Sequence, residues 1–269
     1  MTQPVAIGFD ADQDCSHVAA LAVERGATFV CRYLKNLSVA EARTLSAAGL
    51  SIVSIFESTA QRSLSGGAGG TADGTKALTQ ARSIGQPSGS AIYFAVDFDA
   101  TSAQTTVVLA YLAAARAALG GAYKMGAYAN GAACQAARNH QLVDYTWLAG
   151  GMAMRGSADF AAAGRATMTQ DVGDKRGLNL GISIDSDVAL TADFGGWQVG
   201  VATVAVAPVQ TPPLPTHPDP VYGAVYALQT ALSVAGEAVG AVDHILGPQT
   251  LAATQSYMRK HPLTAADRG

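Results

Sequence analysis

Along the first 190 residues, short segments with apolar and polar positions alternating in steps of two are separated by longer alanine-rich stretches with helical spacing. The strand-like segments are 5–10, 28–34, 50–57, 90–97, 123–130, 145–149, 166–170 and 181–187. The clearest is Ala91-Ile-Tyr-Phe-Ala-Val-Asp-Phe-Asp99. Its side chains alternate, so Ile92, Phe94, Val96 and Phe98 share one face and Tyr93, Ala95, Asp97 and Asp99 share the other. Val5-Ala-Ile-Gly-Phe-Asp10 repeats this design, with Val5, Ile7 and Phe9 opposite Asp10. Gly181-Ile-Ser-Ile-Asp-Ser-Asp187 likewise separates Ile182 and Ile184 from Ser183, Asp185 and Asp187.

Two helices are well marked. Ser38-Val-Ala-Glu41 reads as a capping box, Ala42, Leu45 and Ala48 follow at helical spacing, and Gly49 ends the run. Residues 104–119 carry Val108, Leu112, Ala115 and Leu119 on one stripe, with Gly120-Gly121 as the stop. Eight strands alternating with helices predict an α/β chain, a (β/α)8 TIM-like barrel with a small C-terminal helical module. The last helical connections look short, which leaves a doubly wound sheet as the alternative. In a barrel, catalytic groups gather at the C-terminal strand ends, where Asp10, Glu57, Asp97, Asp99, Asn130, Gln170 and Asp185 all fall. Acids there are expensive to desolvate and folding does not require them, so they point to an acidic cleft.

Ser65-Gly-Gly-Ala-Gly-Gly-Thr-Ala-Asp-Gly74 lacks both GKS/GKT and GxGxxG spacing, and reads as a flexible loop beside the mouth rather than a phosphate cradle. The proline-rich stretch 211–220 reads as a semi-rigid spacer. The domain reading is therefore a barrel over 1–198, a linker over 199–222 and a module over 223–269. The module's helical patterns, 225–232 and 248–258, flank Val242-Asp-His-Ile-Leu-Gly247.

Composition narrows the chemistry. A net charge of −3 without a Lys/Arg stripe argues against nucleic acid as a partner. The three cysteines form no CxxC and the five histidines are scattered without HExxH. Buried reduced thiols are expected, with no metal and no cofactor. The N-terminus has no signal-peptide pattern, and the longest apolar run, 199–209, is too short to span a bilayer. The expectation is synthesis in the cytoplasm without membrane insertion. Action at a cell wall would then follow lysis, a holin or a dedicated export machine.

Taken in order, Gly8-Phe-Asp10, Gly49-Leu-Ser-Ile-Val-Ser-Ile-Phe-Glu57, Ile92-Tyr-Phe-Ala-Val-Asp-Phe-Asp99, Gly126-Ala-Tyr-Ala-Asn130 and Ile184-Asp-Ser-Asp-Val-Ala189 resemble a glycoside-hydrolase-like domain of unknown function. That domain is related to the family-25 lysozymes, which are muramidases on a β/α barrel. The tail, through Leu228-Gln-Thr-Ala-Leu232 and Val242-Asp-His-Ile-Leu-Gly-Pro-Gln-Thr250, is similar to peptidoglycan-binding modules, although His244 stands where a glycine is usual.

The resemblance implies peptidoglycan glycan strands as substrate and carboxylate acid/base cleavage after N-acetylmuramic acid. Asp10 and Asp185 match the flanking aspartates of the family-25 enzymes, Asp97 the first acid of their fourth strand, and Asp99 the position of their acidic glutamate. The proton donor is thus Asp99 or Glu57, while Asp97 polarises an acetamido group or activates water. Asp187 reads as structural. Arg32, Tyr128, Asn130, Trp147, Gln170 and Trp197 are the candidate substrate-binding residues. Alternatives are a catalytically inactive wall-glycan-binding protein and a hydrolase of another polysaccharide. Arg32 also offers a purely structural partner for Asp97 and Asp99.

Overall fold

The computed structural model describes residues 4–150, 152–200, 228–229, 232, 235–238 and 248–260. The chain divides into two units, Met1–Ala205 and Val206–Gly269.

Eight strands of the first unit close into a barrel in sequence order. They are β1 (Ala6–Asp10), β2 (Phe29–Tyr33), β3 (Ser51–Phe56), β4 (Ala91–Ala95), β5 (Lys124–Ala129), β6 (Tyr145–Leu148), β7 (Met168–Asp171) and β8 (Asp185–Ala189). Among the described residues, six α-helices lie between them: α1 (Ala19–Glu24), α2 (Val39–Ala47), α3 (Gly66–Ser83), α4 (Ser102–Leu119), α5 (Gly131–Asn139) and α6 (Ser157–Ala162). Closure rules out the doubly wound sheet. Strand alternation then sorts the side chains into two layers. Ile92, Phe94 and Val96 pack outward among the helices, while Phe29, Cys31, Val53, Ile55, Tyr93, Tyr128, Trp147 and Met168 fill the barrel.

The last strand departs from the expected pattern. β1 to β7 run parallel, but β8 is antiparallel to both β7 and β1. A parallel strand needs a crossover, whereas an antiparallel one can be reached by a simple loop. No helix lies between β7 and β8. The short final connection read from the sequence therefore reverses the strand instead of opening the sheet. The strand also starts later than its apolar pattern suggested, at Asp185. Because β8 is reversed, its first residue lies beside the last residue of β1, and Asp185 pairs with Asp10.

The capping-box reading is half right. Ser38 Oγ accepts from the Glu41 backbone N–H at 3.0 Å. The Glu41 carboxylate turns away, accepting from the Cys15 backbone N–H at 2.9 Å and from Arg32 Nε at 2.7 Å. Arg32 also donates to the Ala11 carbonyl. Arg32 and Glu41 are both almost fully buried, so removing one partner would strand a charge. Thr101 and Gln104 form the complete box that starts α4, and Gly120 ends that helix at φ +59°.

The glycine-rich segment corrects a second expectation. It is helix, the first turns of α3, and its glycines serve close approach to α4 rather than flexibility. A Cβ on Gly70 would lie 2.1 Å from the Tyr111 carbonyl oxygen, and one on Gly74 2.7 Å from that of Ala115. Asp73, between them, accepts from Arg62 Nε at 2.7 Å and from the Tyr111 hydroxyl at 2.9 Å. The three cysteines are free and buried.

In the second unit, α7 (Pro248–Lys260) covers the second predicted helix. Leu232 and Ala253 are buried together, Gln229 Nε2 donates to Thr250 Oγ1 at 3.0 Å, and Lys260 pairs with Glu237 at 2.8 Å. The proline-rich stretch 211–220, most of 225–232, and 242–247 with His244 lie outside the described residues. No described helix is long and apolar enough to cross a membrane.

The α3–α4 contact gives a stability test. An alanine in place of Gly70 improves helix propensity by about 1 kcal/mol, but its methyl meets backbone that cannot rotate away, at about 1–3 kcal/mol. Gly70→Ala is expected to lower the melting temperature. A higher one would mean that α3 and α4 separate freely.

Candidate active site

The mouth is the end of the barrel where β1 to β7 finish and β8 begins. Asp10 ends β1, Gln170 sits in β7, and Asp185 and Asp187 point inward from β8. Glu57 directly follows β3, and Asp97 lies two residues past the end of β4; both are half-buried. Inward parity delivers all of them: in β8, Ala189, Asp187 and Asp185 share the face that fills the barrel.

Asp10 is the electrostatic centre. It is 8 % exposed, and Gln170 Nε2 donates to its Oδ2 at 2.7 Å. Burial pushes its carboxyl up to about 7, against the Gln170 hydrogen bond and with help from the negative charges of Asp185 and Asp97. Gln170 is itself held. Its Oε1 accepts from the Tyr128 hydroxyl at 2.8 Å and from the Gly150 N–H at 3.1 Å. The amide expected to bind substrate instead orients Asp10, and Tyr128 orients that amide.

Glu57 is also raised, first by burial and then by Asp97, while Lys35 opposes the shift. Asp185 Oδ1 accepts from the Gly173 N–H at 2.5 Å. Asp187 is fully buried, and its carboxyl lies well above the usual range because of that burial and of Asp10 beside it.

Asp99 stands apart. It is exposed and accepts from Asn130 Nδ2 and from the Arg155 N–H, both at 2.8 Å. Those donors hold its carboxyl below the ordinary range, the Arg155 N–H most. A carboxyl so stabilised as an anion is a poor reserve of protons near neutrality. Asn130 is fully buried: it caps α5 through the Ala133 N–H at 2.9 Å and ties down Asp99 and the Ala100 carbonyl.

Three expected binding residues do not reach the mouth. Arg32 faces outward from β2 to Glu41, because strand parity puts Cys31 and Tyr33 inside and residue 32 outside. It therefore cannot be the partner of Asp97 and Asp99. Trp147 is 1 % exposed, edge-on to Tyr93 and Tyr128 within the barrel. Trp197 is bridged to Ile52, near the start of β3 and away from the mouth, and its indole N–H donates to Ser54 Oγ at 2.9 Å.

Tyr33 and Asp187 were not among the expected site residues. Tyr33 is half-buried, and Asp10, Glu57 and Asp97 all act on its hydroxyl, which burial pushes up. Lys35 Nζ lies 5.0 Å from its ring centroid. Alternation within 28–34 places Tyr33 on the same face as Cys31, and alternation within β8 does the same for Asp187 and Asp185. Among the described residues, no group of three His, Cys, Asp or Glu side chains is placed to hold a metal ion. A surface cavity of about 210 Å³, lined by Gly131, Gln135, Gly156, Asp159, Phe160 and Arg165, includes none of the mouth acids.

Residues 20–189 match the Rv2525c-like, glycoside hydrolase-like domain. The chain belongs to that family. The crystal structure of the Mycobacterium tuberculosis Tat-secreted protein Rv2525c in complex with L-tartrate is 25 % identical, with a TM-score of 0.62 over 72 % of this chain and 99 % of that one. The same protein in complex with HEPES is 24 % identical, with a TM-score of 0.62 over 71 % and 98 %. An uncharacterized B. stearothermophilus protein is 21 % identical, with a TM-score of 0.51 over 68 % and 95 %, a likeness of fold alone. No curated protein sequence matches this chain. The Rv2525c-like match begins after Asp10, so it is barrel closure that adds Asp10 to the acids inside the matched stretch.

The raised Asp10 carboxyl links stability to pH. The folded protein keeps this proton up to about pH 7, while the unfolded chain releases it near the ordinary value of about 3.9. Between those values the folded state binds more protons, so stability falls as pH rises. Asp10→Asn removes this penalty. Its melting temperature should match wild type only below about pH 4, draw ahead progressively as pH rises towards 7, and keep that lead above neutrality. Equal melting temperatures across the range would show that Asp10 ionises normally.

Proposed function

We propose that this chain is a glycoside hydrolase of peptidoglycan glycan strands, with Asp10 as proton donor and Asp97 as the second carboxyl. One observation carries the reading: a buried carboxyl that keeps its proton to about pH 7 beside the more open acids Asp97 and Asp185. Glycosidic cleavage needs such a division of labour. Asp10 would protonate the glycosidic oxygen as the bond to the anomeric carbon breaks. The bonding electrons leave with the alcohol. Asp97 would stabilise the positive charge at that carbon, through a substrate acetamido group or by activating water. Gln170 already donates to the carboxylate that Asp10 becomes, so the charge appearing on it meets a preset donor.

Membership of the glycoside hydrolase-like family supports the reaction class. The resemblances to family-25 lysozymes and to a wall-binding tail support peptidoglycan. The M. tuberculosis relative is Tat-secreted, which fits action at a cell wall. A second reading, an inactive wall-glycan-binding protein, draws on the small exposure of Asp10, which narrows access to its proton.

Purified peptidoglycan incubated with the protein should gain new reducing ends, identifiable by mass spectrometry. Asp10→Asn and Asp97→Asn should each lower the rate by 100-fold or more. Asp99→Asn should retain most activity, and Glu57→Gln should alter its pH dependence more than its maximum. Loss of activity in Glu57→Gln alone would move the donor to Glu57. Binding of peptidoglycan without any new ends would favour the inactive reading.

A further inference from the structure

Asp187 is the deepest acid of the mouth. It is fully buried on the inward face of β8, and neither oxygen has a hydrogen-bond partner among the described residues. The strand register puts it opposite Gly8 on β1 and opposite Gln170 on β7. Gly8 offers no side chain, and the Phe29 ring lies 2.5 Å from where its Cβ would stand. Gln170 turns its amide to Asp10. The polar neighbours left to Asp187 are Asp10, the next inward residue along β1, and Cys31, which pairs with Asp10 across β2.

An unpaired carboxylate enclosed in this place is strongly disfavoured, so Asp187 keeps its proton. A buried acid hydroxyl needs an acceptor, and the fold supplies Asp10. Diagonal neighbours on one face of an antiparallel pair are about 7–8 Å apart at the backbone, within reach of two carboxyl side chains leaning together.

We propose that Asp187 is a positioning residue, a neutral acid that donates its hydroxyl hydrogen to Asp10 and holds that carboxyl in place as Asp10 releases its own proton. The proposal rests on Asp10 being the proton donor. Asp10 then loses its proton to the leaving oxygen, and its new carboxylate accepts from Gln170 on one side and Asp187 on the other. Asp187 keeps its proton throughout. The other ionisable groups facing the pair are Asp185 on β8, Cys31 and Tyr33 on β2, Tyr128 on β5, and Asp97 and Glu57 beyond β4 and β3.

The test is a carbon-13 carboxyl NMR titration of the full chain without substrate, run alongside the hydrolysis assay. Wild type should show Asp10 titrating near neutrality and Asp187 only at higher pH. Asp187→Asn keeps a donor but cannot ionise, so the upper step should vanish while the Asp10 step stays. Asp187→Leu removes the donor, and the Asp10 step should rise by about one pH unit or more, moving the pH–rate profile with it. An unchanged Asp10 step in Asp187→Leu, or an upper step persisting in Asp187→Asn, overturns the proposal. If the leucine variant does not fold, the asparagine variant decides. Absent hydrolysis with the expected titration would refute the catalytic reading and leave the carboxyl pair standing.

Discussion

A carboxyl group enclosed in an apolar barrel must keep its proton or find donors, and the upper layer of this barrel is built around that constraint. Asp10 is met by a single amide hydrogen, from Gln170, and Gln170 is fixed in turn by the Tyr128 hydroxyl and the Gly150 N–H. Against near-complete burial, the Gln170 amide and the Asp187 hydroxyl are too little to hold the carboxyl ionised at its ordinary value, so desolvation wins. Asp99 shows the opposite balance. It is exposed, receives two donors and stays an anion. The same residue type thus takes opposite protonation habits according to water and donors alone.

Reversal of β8 is what brings the acids together. Were it parallel to β1, the first residue of β8 would lie at the far end of the barrel from the mouth. Run backwards, it sets Asp185 against Asp10 and leaves Asp187 one inward step below. The chain needs no helix for that geometry, only the loop from β7, whose Gly173 N–H grips Asp185. Burying so many acidic side chains opposes folding, and the two apolar layers on either side of the strands offset it.

The strands and the acids at their ends were legible because alternation is a backbone property: the faces of β1 and β4 follow from parity without knowledge of the neighbours. What failed was whatever depends on a partner from elsewhere in the chain. Glu41 stands at the right spacing for a capping box, yet an arginine nine residues earlier on the outer face of β2 takes it. The glycines from residue 66 onward carry no local sign that a second helix presses on them. The tryptophans suggested sugar platforms, but a closed barrel needs large side chains inside, and Trp147 is one of them. Parity alone marked Asp187 as inward-facing. Its importance came only with the direction of β8, which no periodicity reveals.

The resemblance to family-25 lysozymes led to the expectation that Asp99, beyond β4, or Glu57, beyond β3, is the proton donor. Under the function proposed above, the physical environment favours Asp10 on β1 for that role. A donor must hold its proton in the resting state and be stabilised after losing it, and these demands conflict unless the stabilising groups are few and already in place. Asp99 meets only the second demand. Asp10 meets both, since burial keeps the proton on while Gln170 waits for the charge. That burial also carries the cost. Ionising Asp10 without substrate is unfavourable within the barrel, so the feature that would make it a donor near neutrality also makes the fold least stable above it.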